Sequence, residues 1–118
     1  KEIELREKII ELLKTMEKLL IDLIKKIAEE EKVNFHTLLA VLKCESGLNP
    51  NAIYINKDGT RDLGICQFNS YWYVKKGSIT EEDCFKPDIA IRLMAKQFRK
   101  GRAKDWVCYK SNRYKKFL

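Results

Sequence analysis

Residues 38–73, LLAVLKCESGLNPNAIYINKDGTRDLGICQFNSYWY, constrain the fold more than any other stretch of the chain. They open with apolar residues at helical spacing, switch to turn chemistry at Gly47, and then read as a hairpin around Asp58-Gly59. Phe35, Leu38, Leu39, Val41 and Leu42 make the helix nearly apolar all round, which requires burial. Asn34 suits an N-cap and Gly47 a stop, so the predicted helix covers 35–46. Glu45 then falls in the last turn of a buried helix. Burial and the negative end of the helix dipole both disfavour its charge, so its pKa should rise, as a general acid at neutral pH requires.

Beyond the helix, Asn49-Pro50-Asn51 is turn chemistry and Ile53-Tyr54-Ile55 is β-prone. Thr60–Leu63 is the predicted return strand and carries Asp62. A hairpin this polar is exposed, so Asp62 can stay ionised where Glu45 does not. Residues 64–73 are predicted to begin a short helix and then present Tyr71, Trp72 and Tyr73. Two carboxylates in contrasting environments, amides and hydroxyls at Asn56, Thr60, Gln67 and Asn69, and aromatic faces that pack on sugar rings together suit cleavage of a glycosidic bond. The plain alternatives are a solvated strand aspartate at Asp62 and core packing for the aromatics. The pairing of Asp62 with Glu45 in this frame favours the functional reading.

The flanks fill out a mainly α, α+β domain. Residues 1–31 form a long amphipathic helix, with Leu5, Ile9, Leu12, Met16, Leu19 and Leu23 on a heptad-like seam and Lys, Glu and Arg opposite. Two readings are open for it: packing on its own domain, or recruiting a protein partner or a second copy. Residues 29–34 are read as a connector. Thr80–Asp83 resembles a capped helix start, Pro87 opens another helix that Gly101 ends, and a last helix begins near Ala103 with Trp106 and Val107 turned inward. The predicted division is an N-terminal helix, 1–31, and a domain, 32–118.

Composition removes several classes. The chain has 118 residues, enough for one core, with 45% apolar and 35% charged residues, which is the balance of a folded domain. No run of about 18 apolar residues occurs, which argues against a membrane-spanning helix. The net charge of +7 favours an anionic partner such as a wall polymer. Nucleic acid is disfavoured because acids interleave the basic residues of the long helix. Cys44, Cys66, Cys84 and Cys108 allow three full pairings, and buried thiols fit equally well. There is no Cys-x-x-Cys and one histidine, His36, so neither a metal nor a cofactor is expected.

Three motifs resemble one family. ESGLNPNA at 45–52 resembles the first motif of the soluble lytic transglycosylases, of the lysozyme-like superfamily, and Gly64-Ile65-Cys66-Gln67-Phe68 resembles their G-L-M-Q-I element. Pro87–Tyr109 resembles their closing helices, and NKDGTRDLGICQFNSYW is similar to the hairpin of c-type lysozymes. The resemblance covers about residues 33–110. It implies a lysozyme-like fold with a small β-hairpin, to which the long N-terminal helix is an addition. It also implies a secreted, periplasmic or wall-associated enzyme, with any signal peptide outside these residues. The implied reaction cuts the β-1,4 bond between N-acetylmuramic acid and N-acetylglucosamine in peptidoglycan (murein), as a lytic transglycosylase. A hydrolysing lysozyme using Glu45 and Asp62 is the alternative, and a non-catalytic glycan-binding module is a third.

By the same resemblance, Glu45 matches the catalytic acid and Asp62 the lysozyme nucleophile or stabiliser. Ser46 and Gln67 match cleft residues, and Asn69 and Trp72 match sugar-binding positions. Trp106 matches a tryptophan that packs on the acid and helps raise its pKa, and Tyr109 matches a tyrosine that hydrogen-bonds near it. The chain departs from the family pattern at Cys66, Lys86, Ala90, Cys108 and Lys110.

Overall fold

The computed structural model describes all 118 residues. Helix α1 runs Glu2–Glu31 and α2 runs Phe35–Ser46. Strands β1 (Ile53–Ile55), β2 (Arg61–Leu63) and β3 (Phe68–Asn69) form one antiparallel sheet in that order. A π-helical turn, Ser70–Lys75, leads to α3 (Glu81–Cys84), α4 (Pro87–Arg99), α5 (Val107–Lys110) and a closing 3-10 turn, Arg113–Phe117. No helix is long and apolar enough to cross a membrane.

The predicted α2 forms with its predicted ends. The Asn34 side chain accepts from the Thr37 amide at 2.9 Å, and Gly47 closes the helix at φ 62°. Leu38, Val41 and Leu42 are fully buried. They meet Leu63 and Phe68 from the sheet and Ile91 and Met94 from α4 in one core. The hairpin turns where Asp58-Gly59 predicts, through a five-residue loop. The Asp58 carboxylate accepts from the Thr60 amide at 2.9 Å, and Ile55 pairs with Arg61.

Three expectations need correction, and one of the two readings left open for α1 holds in part. Residues 64–73 do not begin a helix with a single hairpin before them. They make a tight turn, a third strand paired Asp62 to Asn69 and Leu63 to Phe68, and the π-helical turn. Tertiary packing decides this: Gly64, at φ 78°, lies so close to α3 that a Cβ there would sit 1.9 Å from the Cys84 carbonyl oxygen. The connector after α1 is shorter than 29–34, because the helix continues through Glu31 to a left-handed cap at Lys32. Buried Glu31 explains the extension, since its carboxylate accepts from Arg92 at 2.8 Å and Arg99 at 3.0 Å. Val107 points outward and is 60% exposed, whereas Trp106 is buried as expected. Finally, α1 packs on its own domain only along its last turns. Ile24, Ile27 and Ala28 enter the core, while every side chain from Glu2 to Leu19 is exposed.

Candidate active site

Glu45 lies in the last turn of α2, one residue after Cys44, which is bonded to Cys108 at the start of α5. That cross-link brings the Cys108 amide against the acid, and its N–H donates to Glu45 Oε2 at 3.0 Å. Burial pushes the Glu45 carboxyl up from its ordinary pKa. The Cys108 N–H opposes this, the Asp62 charge adds to it, and Arg113 opposes it more weakly. The net direction is upward, as the helix position predicts.

The sheet supplies the opposite wall. Asp62, on the middle strand, accepts from Asn69 Nδ2 at 3.1 Å, and the same amide donates to Thr60 Oγ1 at 3.1 Å. Asn69 Oδ1 accepts from the Tyr71 and Trp72 amides, capping the π-helical turn. Asn69 is therefore engaged on both ends of its amide and holds Asp62 and the aromatic turn in place. Gln67 sits in the left-handed region at φ 55°, an uncommon conformation for a side chain of this size. Its Nε2 donates to Gly64 and Ala52 carbonyls at 2.8 and 3.2 Å, which leaves its acceptor oxygen for a ligand. Ser46 Oγ donates to the Ile65 carbonyl at 2.7 Å and ties the turn to α2.

Between these walls is a cleft of about 730 Å³. Of the residues singled out from the sequence, Glu45, Asn56, Thr60, Asp62, Gln67, Asn69, Trp72, Tyr73 and Trp106 line it. Ser46, Tyr71 and Tyr109 stand outside the lining. Ser46 holds the turn, and Tyr109 stacks on Tyr114 with centroids 5.0 Å apart. Trp106 donates its indole N–H to the Cys66 carbonyl at 2.8 Å and packs against Phe68, Tyr73 and Phe98. Trp72 is 66% exposed on the rim, with the Tyr71 ring edge-on to it at 5.0 Å, so neither is core.

The model of the transglycosylase SLT domain family matches residues 22–106, most of the chain. The chain belongs to the transglycosylase SLT domain family. No curated protein matches it. The SLT assignment agrees with the mainly helical, lysozyme-like architecture and its small sheet. At family level it brings peptidoglycan-cleaving, lytic transglycosylase-type activity, on a polymer of the periplasm or cell wall. The SLT match begins at residue 22, where α1 starts to enter the core, so the protruding half of α1 lies outside it.

The SLT cleft also holds Arg102 and Asp105, which the sequence reading passed over, beside Tyr73, one of its aromatic candidates. Tyr73 donates its hydroxyl to Asp105 Oδ2 at 2.8 Å, and Arg102 Nε reaches the same oxygen at 3.2 Å. Burial, then the Asp105 partner, pushes the Tyr73 phenol far up, so it is a hydrogen-bonding hydroxyl and not a proton source at neutral pH. Tyr73 and Asp105 lie 32 residues apart, and no local signal joins them.

Proposed function

We propose that this SLT domain is a lytic transglycosylase in which Glu45 serves as acid and then as base. In that reading residues 32–118 form the cleavage domain and helix 1–31 is an appended arm whose last turns plug into it. One observation carries the proposal: a half-buried carboxyl with a raised pKa lines the cleft of about 730 Å³ together with Asp62. In its protonated form, which burial favours, Glu45 donates its proton to the glycosidic oxygen, and the bond from that oxygen to the anomeric carbon of N-acetylmuramic acid breaks. The resulting carboxylate is stabilised by the Cys108 N–H and then accepts the proton of the sugar's own 6-hydroxyl. That hydroxyl oxygen bonds to the anomeric carbon and closes a 1,6-anhydro ring. The net charge of +7 assists capture of an anionic wall.

Gln67 and exposed Trp72 are the groups proposed to bind the strand, through a free acceptor oxygen and an aromatic face. Ser46, Asn69, Trp106 and Tyr109 are proposed to position the acid and its walls. The alternative is a hydrolysing lysozyme with Asp62 as the second group. It is supported by Asp62 lining the same cleft and raising the Glu45 pKa.

Mass spectrometry of fragments released from purified peptidoglycan tests both, with Glu45→Gln as control. Anhydro ends support the transglycosylase, and free reducing ends support the lysozyme. Glu45→Gln is expected to lower the rate by roughly 10²- to 10⁴-fold or more with the fold kept. Glycan binding without any turnover by the native chain would replace both readings with a binding module.

A further inference from the structure

The first half of α1 carries an apolar surface that the cleft does not use. Leu5, Ile9, Leu12, Leu13, Met16 and Leu19 are 48 to 63% exposed. Taken in steps of three and four, positions 5, 9, 12, 16, 19, 23 and 27 fall along one face of the helix. That face does not simply end in solvent. At its lower end Leu23 and Ile27 form one wall of a groove of about 370 Å³, and Ile89 and Leu93 of α4 form the other, with Asp88, Arg92 and Lys96 also lining it. An apolar track about 21 Å long from Leu5 to Leu19, at 1.5 Å per residue, therefore runs down the arm and into a groove on the body.

We propose that a second copy of this chain covers the track, its α1 lying antiparallel, with Leu5 of one copy opposite Leu23 of the other, Ile9 opposite Leu19 and Leu12 opposite Met16. The heptad-like seam supplies interlocking layers in that register. It also delivers each copy's Leu5 to the mouth of the other's groove. Charge selects the direction. Residues 2–11 carry Glu2, Glu4, Glu7 and Glu11 against Arg6 and Lys8, four acids to two bases. Residues 17–26, which face 2–11 in that register, carry Lys18, Lys25 and Lys26 against Glu17 and Asp22, three bases to two acids. Antiparallel pairing sets the acidic half on the basic half, whereas parallel pairing sets like on like. Over 2–26 acids and bases balance, which offers an anionic membrane nothing to hold. The apolar side chains, each exposing on the order of 100 Å², approach the roughly 800 Å² per partner of a stable interface once the groove is included.

Sedimentation equilibrium on the full chain from about 0.1 to 100 µM covers the micromolar end of the affinities of interfaces this size. The expected result is a reversible monomer–dimer equilibrium. Leu12→Glu with Met16→Glu should weaken it by about 100-fold or more, because four carboxylates then face one another in the seam. Both positions lie in the exposed half of α1, and an unchanged Trp106 fluorescence spectrum verifies that the body is intact. Spin labels placed at Glu2→Cys should lie about 36 Å apart in the dimer, since residue 2 then faces residue 26, and under about 20 Å apart if the helices are parallel. A chain that stays monomeric at all concentrations, a dimer that the double variant leaves unchanged, or the short label distance would each overturn the proposal. So would a monomer that sediments with phosphatidylglycerol vesicles through the same stripe.

Discussion

Removing the Cys44–Cys108 bond, by Cys44→Ala with Cys108→Ala, tests how the acid is held. The two cysteines are 64 residues apart, so the bond closes more than half of the chain into one loop. The chain-entropy relation for a loop of that length gives about 4 kcal/mol of stabilisation lost. In a domain of this size that lowers Tm by about 15 °C. A second effect is local. Without the bond, the N–H at position 108 is no longer held against Glu45 Oε2. That N–H favours the charged carboxylate, so its loss should raise the Glu45 pKa further. The alkaline limb of the cleavage rate, where the acid loses its proton, should therefore move to higher pH. The turnover number should also fall, because the carboxylate formed in the first step loses a hydrogen bond of about 1.5–3 kcal/mol, or roughly 10- to 150-fold in rate. Calorimetry and a pH–rate profile on soluble glycan strands read the two effects separately. A variant with Tm lowered but pH profile and turnover unchanged would refute the positioning argument, and an unchanged Tm would refute the loop argument.

Gly64→Ala should destabilise the domain by at least about 2 kcal/mol, since it meets both a positive φ and the Cys84 carbonyl; urea unfolding with a loss below about 0.5 kcal/mol would contradict the close approach. Trp72→Ala should raise KM about 5-fold with turnover nearly unchanged, as expected for an exposed aromatic that contributes about 1 kcal/mol of stacking; a fall in turnover instead would place it in the chemistry. Hydrogen bonding from Arg92, followed by the Arg99, Lys96 and Arg92 charges, holds the Glu31 carboxyl below its ordinary value near 4.5 despite an opposing contribution from burial. A depressed folded-state pKa stabilises above that ordinary value, and the contribution is lost as pH falls through the lower one. Stability measured from pH 5 down to about pH 2 should drop, and Glu31→Gln should flatten part of that slope.

Elements built on local signals were legible in the sequence. The Asn34 cap and Gly47 stop bound α2, Asp58-Gly59 turns the hairpin, Thr80 caps α3 with its hydroxyl on the Asp83 amide at 3.1 Å, and Pro87 opens α4. Each joins residues two to four apart, so the interaction is written in adjacent letters. The raised pKa of Glu45 was legible for the same reason, because an apolar helix and its final turn together dictate burial at a negative dipole end. Other features rest on contacts between distant segments. The third strand at Phe68–Asn69 replaced a helix because α3 presses on Gly64, and the outward turn of Val107 accompanies the burial of its neighbour Trp106. Cys44 found Cys108 out of three pairings that spacing alone left equal, and Tyr73 met Asp105 across the cleft. The long helix divides the two kinds of information. Its sequence determines an apolar stripe along nearly its whole length, because periodicity is local. Where that stripe leaves the core could be decided only by the tertiary structure, because burial at Ile24 and Ile27 depends on α2 and α4 being there to meet them.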